Sequence, residues 1–309
     1  MNDPRPSATP ATSTVETVRI DVAEGVTLAA DVAGPADGRP ILLFHGGGQT
    51  RHSWGTALRD LAGVGFRVAS IDLRGHGDSD WSPGGDYTEG VFPGDVTAVA
   101  RHFTRDDTRP ILVGASLGGS SSMMAEALHP GPLAAALVLV DVAPNIEPAG
   151  VDRIRDFMHE HIETGFGSLD EVADAIAAYN PHRPRPTNLD GLTKNVRLRE
   201  DGRWYWHWDP AFMWNKRPVD DGPDDYRRMD FEERTRRMEE AARSITVPTL
   251  LVRGRQSDLL SEAGAMRFLE LVPHAEFVDV VGAGHMVAGD KNDVFNAAVV
   301  DFIERLGPA

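Results

Sequence analysis

Short apolar runs alternate with longer amphipathic stretches through the first half of the chain. The run PILLFHG at 40–46 is apolar throughout and ends in glycine, as is typical of a strand buried on both faces. We expect strands at 15–22, 26–34, 40–46, 66–77 (a strand followed by a turn), 110–116 and 134–144, and helices at 53–65, 95–103 and 121–130. Because strands that alternate with helices form a mostly parallel sheet covered by helices on both faces, this half predicts an α/β fold.

The alternation stops at about 145, where a helical, charged and tryptophan-rich stretch begins, and it resumes at about 245. The later strands are expected at 247–254 and 275–282, and the later helices at 263–272 and 294–306. Neither half completes a sheet alone, so we predict one core domain, residues 15–144 and 245–309, interrupted by an inserted domain at 145–244. Residues 1–14 are rich in Pro, Ser, Thr and Ala and are expected to form a disordered tail.

Composition narrows the possible partners. The net charge of −16 over 309 residues argues against nucleic acid or an anionic membrane surface as a partner. The absence of cysteine excludes disulfides, thiolate nucleophiles and cysteine metal sites. The first residues have no apolar core typical of a signal peptide, and no apolar run approaches the ~20 residues of a membrane helix, so we expect a cytoplasmic protein that acts on a small molecule.

The sequence GASLG at 114–118 has the G-x-S-x-G pattern and lies between a predicted strand and a predicted helix. A sharp strand-to-helix turn of this kind holds its serine in a sparsely allowed backbone conformation, and flanking side chains would collide with neighbouring elements. It also directs the first amides of the helix towards a reacting carbonyl oxygen. We therefore predict that Ser116 is a nucleophile rather than a small polar residue in a glycine-rich loop.

A serine nucleophile needs a base, and the base needs a group that orients it. His285 follows the last predicted strand, and Asp258 lies four residues past the end of the strand before it. Both therefore lie at the carboxyl ends of parallel strands, on the same sheet edge as Ser116. We predict a triad of Ser116, His285 and Asp258, with Asp141, which follows the strand LVLV, as the second candidate for the acid.

The sequence HGGG at 45–48 follows the third apolar strand and predicts an oxyanion hole. Glycines there let a backbone N–H approach the substrate oxygen, and the Leu117 amide supplies a second donor. Gly47 is the preferred donor of this loop, with Gly46 or Gly48 next. The alternative is a glycine-rich turn without a catalytic part, and for His45, and for Asp72 and His76 in the following turn, we expect structural roles.

Together the motifs HGGG (45–48), DLRGHGDS (72–79), GASLGG (114–119), GRQSD (254–258) and GAGH (282–285) resemble the α/β-hydrolase superfamily. They are most similar to the branch that contains epoxide hydrolases, cofactor-free haloperoxidases and related serine esterases. The resemblance covers about 40–143 and 247–306. It implies an eight-stranded, mostly parallel sheet, helices on both faces, a helical cap formed by the insert, and activity without a cofactor or a metal.

Two departures from the family refine the expected chemistry. Epoxide hydrolases and haloalkane dehalogenases of this fold have aspartate at the elbow, whereas this chain has Ser116, which favours acyl transfer. The HGGG sequence matches a motif of hormone-sensitive lipases, but the GASLGG elbow does not. We therefore predict hydrolysis of a small or medium ester, lactone or thioester. The alternatives are carbon–carbon bond hydrolysis of a dienoate-type ketone and a ligand sensor with slow turnover.

The insert offers two sets of candidate binding residues. Trp204, Trp206 and Trp208 alternate along the chain, which predicts an extended segment with one aromatic face. That face is interpreted either as an apolar wall for the substrate or, as we favour, as the insert's own core. An anionic substrate would need a cationic anchor, for which the candidates are Arg51, Arg183, Arg185 and Arg217.

Overall fold

A single eight-stranded sheet organises the chain. The computed structural model describes residues 14–88, 90–106, 108–181, 184–214, 231–285, 287 and 292–306, so that the tail predicted at 1–14 lies almost wholly outside the described residues. The strands of the sheet are β1 (Glu16–Asp21), β2 (Thr27–Ala33), β3 (Pro40–Phe44), β4 (Arg67–Ile71), β5 (Ile111–Ala115), β6 (Ala136–Val140), β9 (Thr249–Gly254) and β10 (Glu276–Val280).

The strand order is β1-β2-β4-β3-β5-β6-β9-β10. β2 pairs antiparallel with β1 and β4, and the remaining neighbours pair parallel. The predicted fold class, a mostly parallel eight-stranded sheet with helices, is confirmed. The strands begin and end within a few residues of the predicted bounds, because each apolar run is bounded by proline, glycine or charged residues.

The helices of the described residues are α1 (Gly55–Gly63), α2 (Val91–Phe103), α3 (Leu117–Leu128), α4 (Pro148–His159), α5 (Leu169–Tyr179), α6 (Ala211–Trp214), α7 (Phe231–Ser244), α8 (Glu262–Leu271) and α9 (Asn292–Arg305). α3 begins four residues earlier than predicted. Its first turn contains Gly118, Gly119 and Ser120, which are poor helix formers, so no helical pattern is visible there. In the described part of the chain, none of the helices combines the length and the apolar character needed to cross a membrane.

Apolar residues of the sheet pack on both faces. Leu42 and Phe44 of β3 contribute to one buried cluster, which α2, α3 and α8 also line, whereas Ile41 and Leu43 contribute to a second cluster with α1 and α9. Successive side chains of a strand point to opposite faces, so a continuous apolar run is the pattern expected of a strand covered on both sides.

Residues between β6 and β9 form a smaller unit with its own apolar cluster, which includes Phe166, Val172 and Trp206. Besides α4 to α7 it contains the antiparallel strands β7 (Val196–Leu198) and β8 (Trp204–Trp206); the extended segment predicted from the alternating tryptophans accounts for β8, whereas β7 was not predicted. We call this unit the insert. It is joined to the core by a buried hydrogen bond of 2.5 Å from the Tyr87 hydroxyl to Asp209. The predicted boundaries 145 and 244 remain a prediction.

Candidate active site

The site lies where the strand order reverses. From β3 the chain crosses to β4 on one side and then returns to β5 on the other, so β3 and β5 are neighbours, with Phe44 opposite Gly114. In parallel α/β sheets the carboxyl ends of two such strands leave a crevice in which ligands bind. The loop 45–48 follows β3 and Ser116 follows β5, so both predicted motifs meet at this crevice.

Ser116 lies in the strained turn that the motif predicts. Its φ and ψ are 47° and −114°, a region that side-chain-bearing residues rarely adopt, and α3 begins at the next residue. The flanking glycines are required by close packing. A Cβ atom at Gly114 would lie 2.5 Å from Gly118, and one at Gly118 would lie 2.4 Å from the carbonyl oxygen of Phe44. Tertiary packing therefore holds the serine at the edge of the sheet.

The carboxylate that contacts His285 belongs to Asp141. Nδ1 of His285 lies 2.7 Å from Oδ2 of Asp141, and because a carboxylate only accepts, the ring donates from Nδ1. Asp141 is fully buried, has a φ of 50°, and also accepts from the amide of Gly254 (3.0 Å) and the hydroxyl of Ser257 (2.5 Å). These three donors fix the carboxylate and, through it, the tautomer of the imidazole that leaves Nε2 free to accept.

Asp258 does not reach the histidine, which corrects its predicted place in the triad. Its carboxylate forms an ion pair of 2.5 Å with Arg153 of α4, and both side chains are more than 40% exposed. Asp258 therefore connects the core to the insert. The physical reason lies in the strand ends: Asp141 comes directly after β6, whereas Asp258 is four residues beyond β9, on a loop that turns towards α4.

Gly254, the last residue of β9, leaves room for the loop that carries His285 to pass over the end of β9 and reach Asp141. β9 lies between β6, which precedes Asp141, and β10, which precedes His285. A Cβ atom at position 254 would lie 2.0 Å from the carbonyl oxygen of Gly284. Only a residue without a side chain admits the 283–285 loop at this distance, so the contact between Asp141 and His285 depends on Gly254 as well as on its two partners.

The loop after β3 is fixed by side chains, and its amides differ in their partners. The amide of Gly46 donates to Oε1 of Gln49 (3.3 Å), and that of Gly48 donates to Nε2 of His76 (3.1 Å). Among the described residues no acceptor lies within hydrogen-bond distance of the Gly47 amide. The Leu117 amide is in the first turn of α3, where no intrahelical acceptor exists. These two amides are therefore available to a ligand in the crevice.

Two buried imidazoles support this loop. His45 accepts from the Leu73 amide at Nε2 (3.0 Å) and donates from Nδ1 to the carbonyl oxygen of Gly46 (2.8 Å). His76 accepts from Gly48 at Nε2 and donates from Nδ1 to the carbonyl oxygen of Arg74 (3.0 Å). Each ring is neutral in this arrangement, because a proton on Nε2 would remove the lone pair that accepts the hydrogen bond. Burial lowers the pKa of His45 to about 4 and that of His76 to about 3.

These pKa values predict that the fold is sensitive to mild acid. An unfolded histidine has a pKa of about 6.5, so between pH 6.5 and about 4 the unfolded chain binds protons that the two folded rings do not. The contribution of the two neutral rings to the free energy of unfolding is therefore fully present above about pH 6.5 and is lost progressively as the pH is lowered. The two rings together account for a loss of about 4 kcal/mol between pH 7 and pH 4.5. Urea unfolding at a series of pH values measures it.

The His76→Gln variant isolates one of these protons. Glutamine retains an acceptor for Gly48 but does not titrate, so the slope of the unfolding free energy between pH 4 and 6 should decrease by about 1.4 kcal/mol per pH unit. The His102→Gln variant, at an exposed ring on α2, serves as the matched control. An unchanged slope in the His76 variant would show that this imidazole is already protonated in the fold.

A cavity of about 540 Å³ opens between the sheet edge and the insert. Ser116, Leu117, Gly47 and His285 all line it, and among the described side chains no hydrogen bond yet joins the serine hydroxyl to the imidazole. This volume lies within the ~300–1,000 Å³ range of small-molecule sites. The structure therefore brings together, around one space, four of the five residues predicted for catalysis.

The three candidate tryptophans differ in whether they line the cavity. Trp206 and Trp208 line the cavity, and both also belong to the apolar cluster of the insert. Trp204 is not among the cavity-lining residues; it pairs with Leu198 in β7 and with Phe166. The extended segment predicted from their alternation is present at Trp204–Trp206 as β8. Both interpretations of its aromatic face apply to Trp206 and Trp208, whereas Trp204 packs only against the apolar cluster of the insert.

The proposed cationic anchors are engaged elsewhere or outside the described residues. Arg51 is buried against Asp31, Asp72 and Asp78. Arg185 pairs with Asp170 and Asp174. Arg183 and Arg217 lie outside the described residues. In the part of the chain that the structure describes, no group of three or more His, Asp or Glu side chains is arranged to hold a metal ion.

Comparison with known proteins agrees with this architecture. Residues 41–298 match the model of the alpha/beta hydrolase family, and the chain belongs to that family. The predicted superfamily is thus confirmed. The family comprises enzymes of many specificities on one sheet, so membership alone does not give a substrate.

Individual relatives are enzymes that hydrolyse small molecules. An esterase of Mycobacterium tuberculosis is 27% identical over 81% of this chain and 78% of its own length. A 2-(acetamidomethylene)succinate hydrolase of Mesorhizobium japonicum is 28% identical over 86% of this chain and 88% of its own. A crystal structure of E-2-(acetamidomethylene)succinate hydrolase superposes with a TM-score of 0.77 at 26% identity, over 94% of this chain and all of the other. These relatives support a hydrolase.

Proposed function

We propose that the protein is a serine hydrolase that cleaves a small or medium carboxylic ester, lactone or thioester through an acyl-enzyme. The observation that carries the proposal is the fixed Asp141–His285 hydrogen bond beside a cavity that the strained Ser116 also lines. Strained nucleophiles, an oriented imidazole and free amides at one crevice are the parts that acyl transfer requires. The esterase among the relatives of this chain supports the ester substrate.

In the proposed mechanism Ser116 attacks the carbonyl carbon while His285 accepts the hydroxyl proton at Nε2. The apo geometry lacks that hydrogen bond, and such contacts commonly tighten when substrate binds. Asp141 keeps the ring proton on Nδ1 and stabilises the imidazolium that forms. The amides of Gly47 and Leu117 donate to the oxyanion, and each donor of this kind contributes about 3 kcal/mol in the transition state.

The remaining proton transfers, which complete acylation and then drive deacylation, also pass through His285. His285 gives its proton to the leaving alcohol or thiol, then takes one from a water molecule that attacks the acyl carbon. The tetrahedral intermediate collapses and releases the acid, and Ser116 recovers its proton. The insert acts in this proposal as a cap: Trp206, Trp208 and Phe212 bound the cavity opposite the sheet and exclude bulk water from the acyl-enzyme.

A fluorophosphonate probe tests the nucleophile directly. We expect one equivalent of probe to attach to Ser116, because it is the serine that the oriented imidazole and the free amides serve. Peptide mapping by mass spectrometry identifies the site. Ser53 and Ser120 line the same cavity and act as internal controls, since attachment to either would contradict the assignment. Release of thousands of equivalents of p-nitrophenol from p-nitrophenyl butyrate then distinguishes an enzyme from a sensor with slow turnover.

A further inference from the structure

The charges that line the cavity differ from those of the whole chain. The sequence contains 47 aspartates and glutamates against 31 lysines and arginines. Within the described residues, however, no acidic side chain lines the cavity, whereas Arg155, Lys194 and Arg234 do. A cavity of 34 lining residues drawn at random from this composition would contain about five acidic side chains, so their exclusion is a property of the site.

Lys194 is the cation that the structure leaves available to a ligand. In the described part of the chain no carboxylate lies within ion-pair distance of its ammonium group. Arg155, by comparison, lies 3.4 Å from Asp152. The neighbouring Asn195 also lines the cavity, and its side-chain amide has no partner among the described residues. An ammonium and an amide that line the same cavity suit a singly charged carboxylate, which can accept from both.

Backbone hydrogen bonds fix the positions of these two residues, Lys194 beside the loop after β3 and Asn195 within the insert. The carbonyl oxygen of Lys194 accepts from the hydroxyl of Thr50 (3.3 Å), and that of Asn195 accepts from the amide of His207 (2.8 Å). Gln49, His52 and Ser53 continue the cavity wall from the loop after β3 towards Lys194. Burial lowers the pKa of His52, and the positive charges of Arg51 and Lys194 lower it further. The polar end of the cavity is thus built from the core and the insert together.

We propose that Lys194, with Asn195, binds a carboxylate at the end of the substrate remote from the scissile bond, so that the enzyme prefers monoesters of dicarboxylic acids to neutral esters. This inference rests on the proposed function for its turnover measurements. The anchor acts on the ground state and the transition state alike, so its loss should raise KM with little change in kcat. Because Lys194 is exposed, the preference should weaken as salt is added.

Matched substrates and variants test the anchor. p-Nitrophenyl hydrogen adipate and p-nitrophenyl hexanoate have equal acyl length and differ in the terminal carboxylate. In the wild type we expect a kcat/KM about tenfold higher for the adipate than for the hexanoate, a ratio that is lost in Lys194→Met and reversed in Lys194→Glu. Arg109→Met removes the same charge at the opposite edge of the sheet, before β5, and should keep the preference.

Direct binding separates this inference from the proposed function. Calorimetric titration with adipate, the released acid, should give a Kd about tenfold weaker for Lys194→Met than for the wild type, whether or not either ester turns over. If hexanoate is hydrolysed but neither the adipate preference nor the difference in Kd is found, the anchor is wrong and the hydrolase stands. If neither ester is hydrolysed but the difference in Kd is found, the hydrolase is wrong and the anion site stands.

Discussion

Replacing Ser116 by alanine is expected to lower kcat for p-nitrophenyl butyrate by about 10⁵-fold, because in the proposed mechanism the Ser116 hydroxyl is the group that forms the acyl-enzyme. The substitution removes one oxygen atom and leaves the strained backbone, the buried Asp141 and the loop after β3 unchanged. Steady-state kinetics, with active-site titration of the wild type to exclude a contaminating esterase, measure the loss. The residual rate reports what the free amides of Gly47 and Leu117 achieve alone.

Two companion variants separate chemistry from folding. Ser121→Ala removes another α3 hydroxyl, one that donates to the carbonyl oxygen of Leu117, and should retain wild-type turnover. Ser116→Gly should be as inactive as Ser116→Ala but at least as stable, since glycine adopts the positive φ of this turn without strain. Retained turnover in both position-116 variants would show that another group attacks the carbonyl.

The fold could be predicted from the sequence because its strands are continuous apolar runs. Each of the runs at 40–46, 110–116 and 134–144 forms a buried parallel strand, and their order along the chain implies the layers. Strand order itself depends on which runs pair, which the hydrophobic pattern does not encode. β7 was missed because it is only three residues long and largely exposed.

At the site, local pattern was sufficient to predict the geometry wherever a single turn forms it. The elbow at Ser116 and the loop at Gly47 are defined by their own glycines, and each lies directly after its strand. The carboxylate that contacts His285 was not the predicted one, because the carboxylate and the histidine follow different strands. Both Asp141 and Asp258 follow strands of the correct edge, and the choice depends on Gly254 admitting the histidine loop across β9. One signal was present: Asp141 follows its strand immediately, as Ser116 does.

The cationic anchor illustrates what sequence cannot supply. The candidates from the sequence were all arginines. Of these, Arg51 is enclosed by three aspartates and Arg185 pairs with two others. The candidate that the structure offers, Lys194, lies in an exposed turn of the insert with no motif around it. The reason to propose it lies in what lines the cavity, where the described residues include cations but no acidic side chain, and no sequence pattern shows this.

Replacing Asp141 by asparagine should lower kcat by about 10⁴-fold, whereas Asp258→Asn should change it by less than about threefold. Oδ1 of Asp141 accepts from the Gly254 amide, so in the D141N variant the side-chain oxygen stays at that donor and the NH₂ group faces His285. An NH₂ group donates to Nδ1, so the ring proton moves to Nε2. That nitrogen then has no lone pair for the serine proton, and attack fails although every atom is nearly in place.

Asp258→Asn removes a half-exposed ion pair with Arg153, a contact worth at most about 1 kcal/mol, and leaves the imidazole untouched. Parallel kinetics on the two variants, with thermal unfolding of each, therefore discriminate between the two carboxylates. A tautomer effect predicts more than lost activity: D141N should still bind adipate with wild-type Kd, because the anion site at Lys194 is unaffected. A crippled Asp258→Asn enzyme beside an active D141N enzyme would return the orienting role to Asp258 and require the loop at 254–258 to rearrange before catalysis.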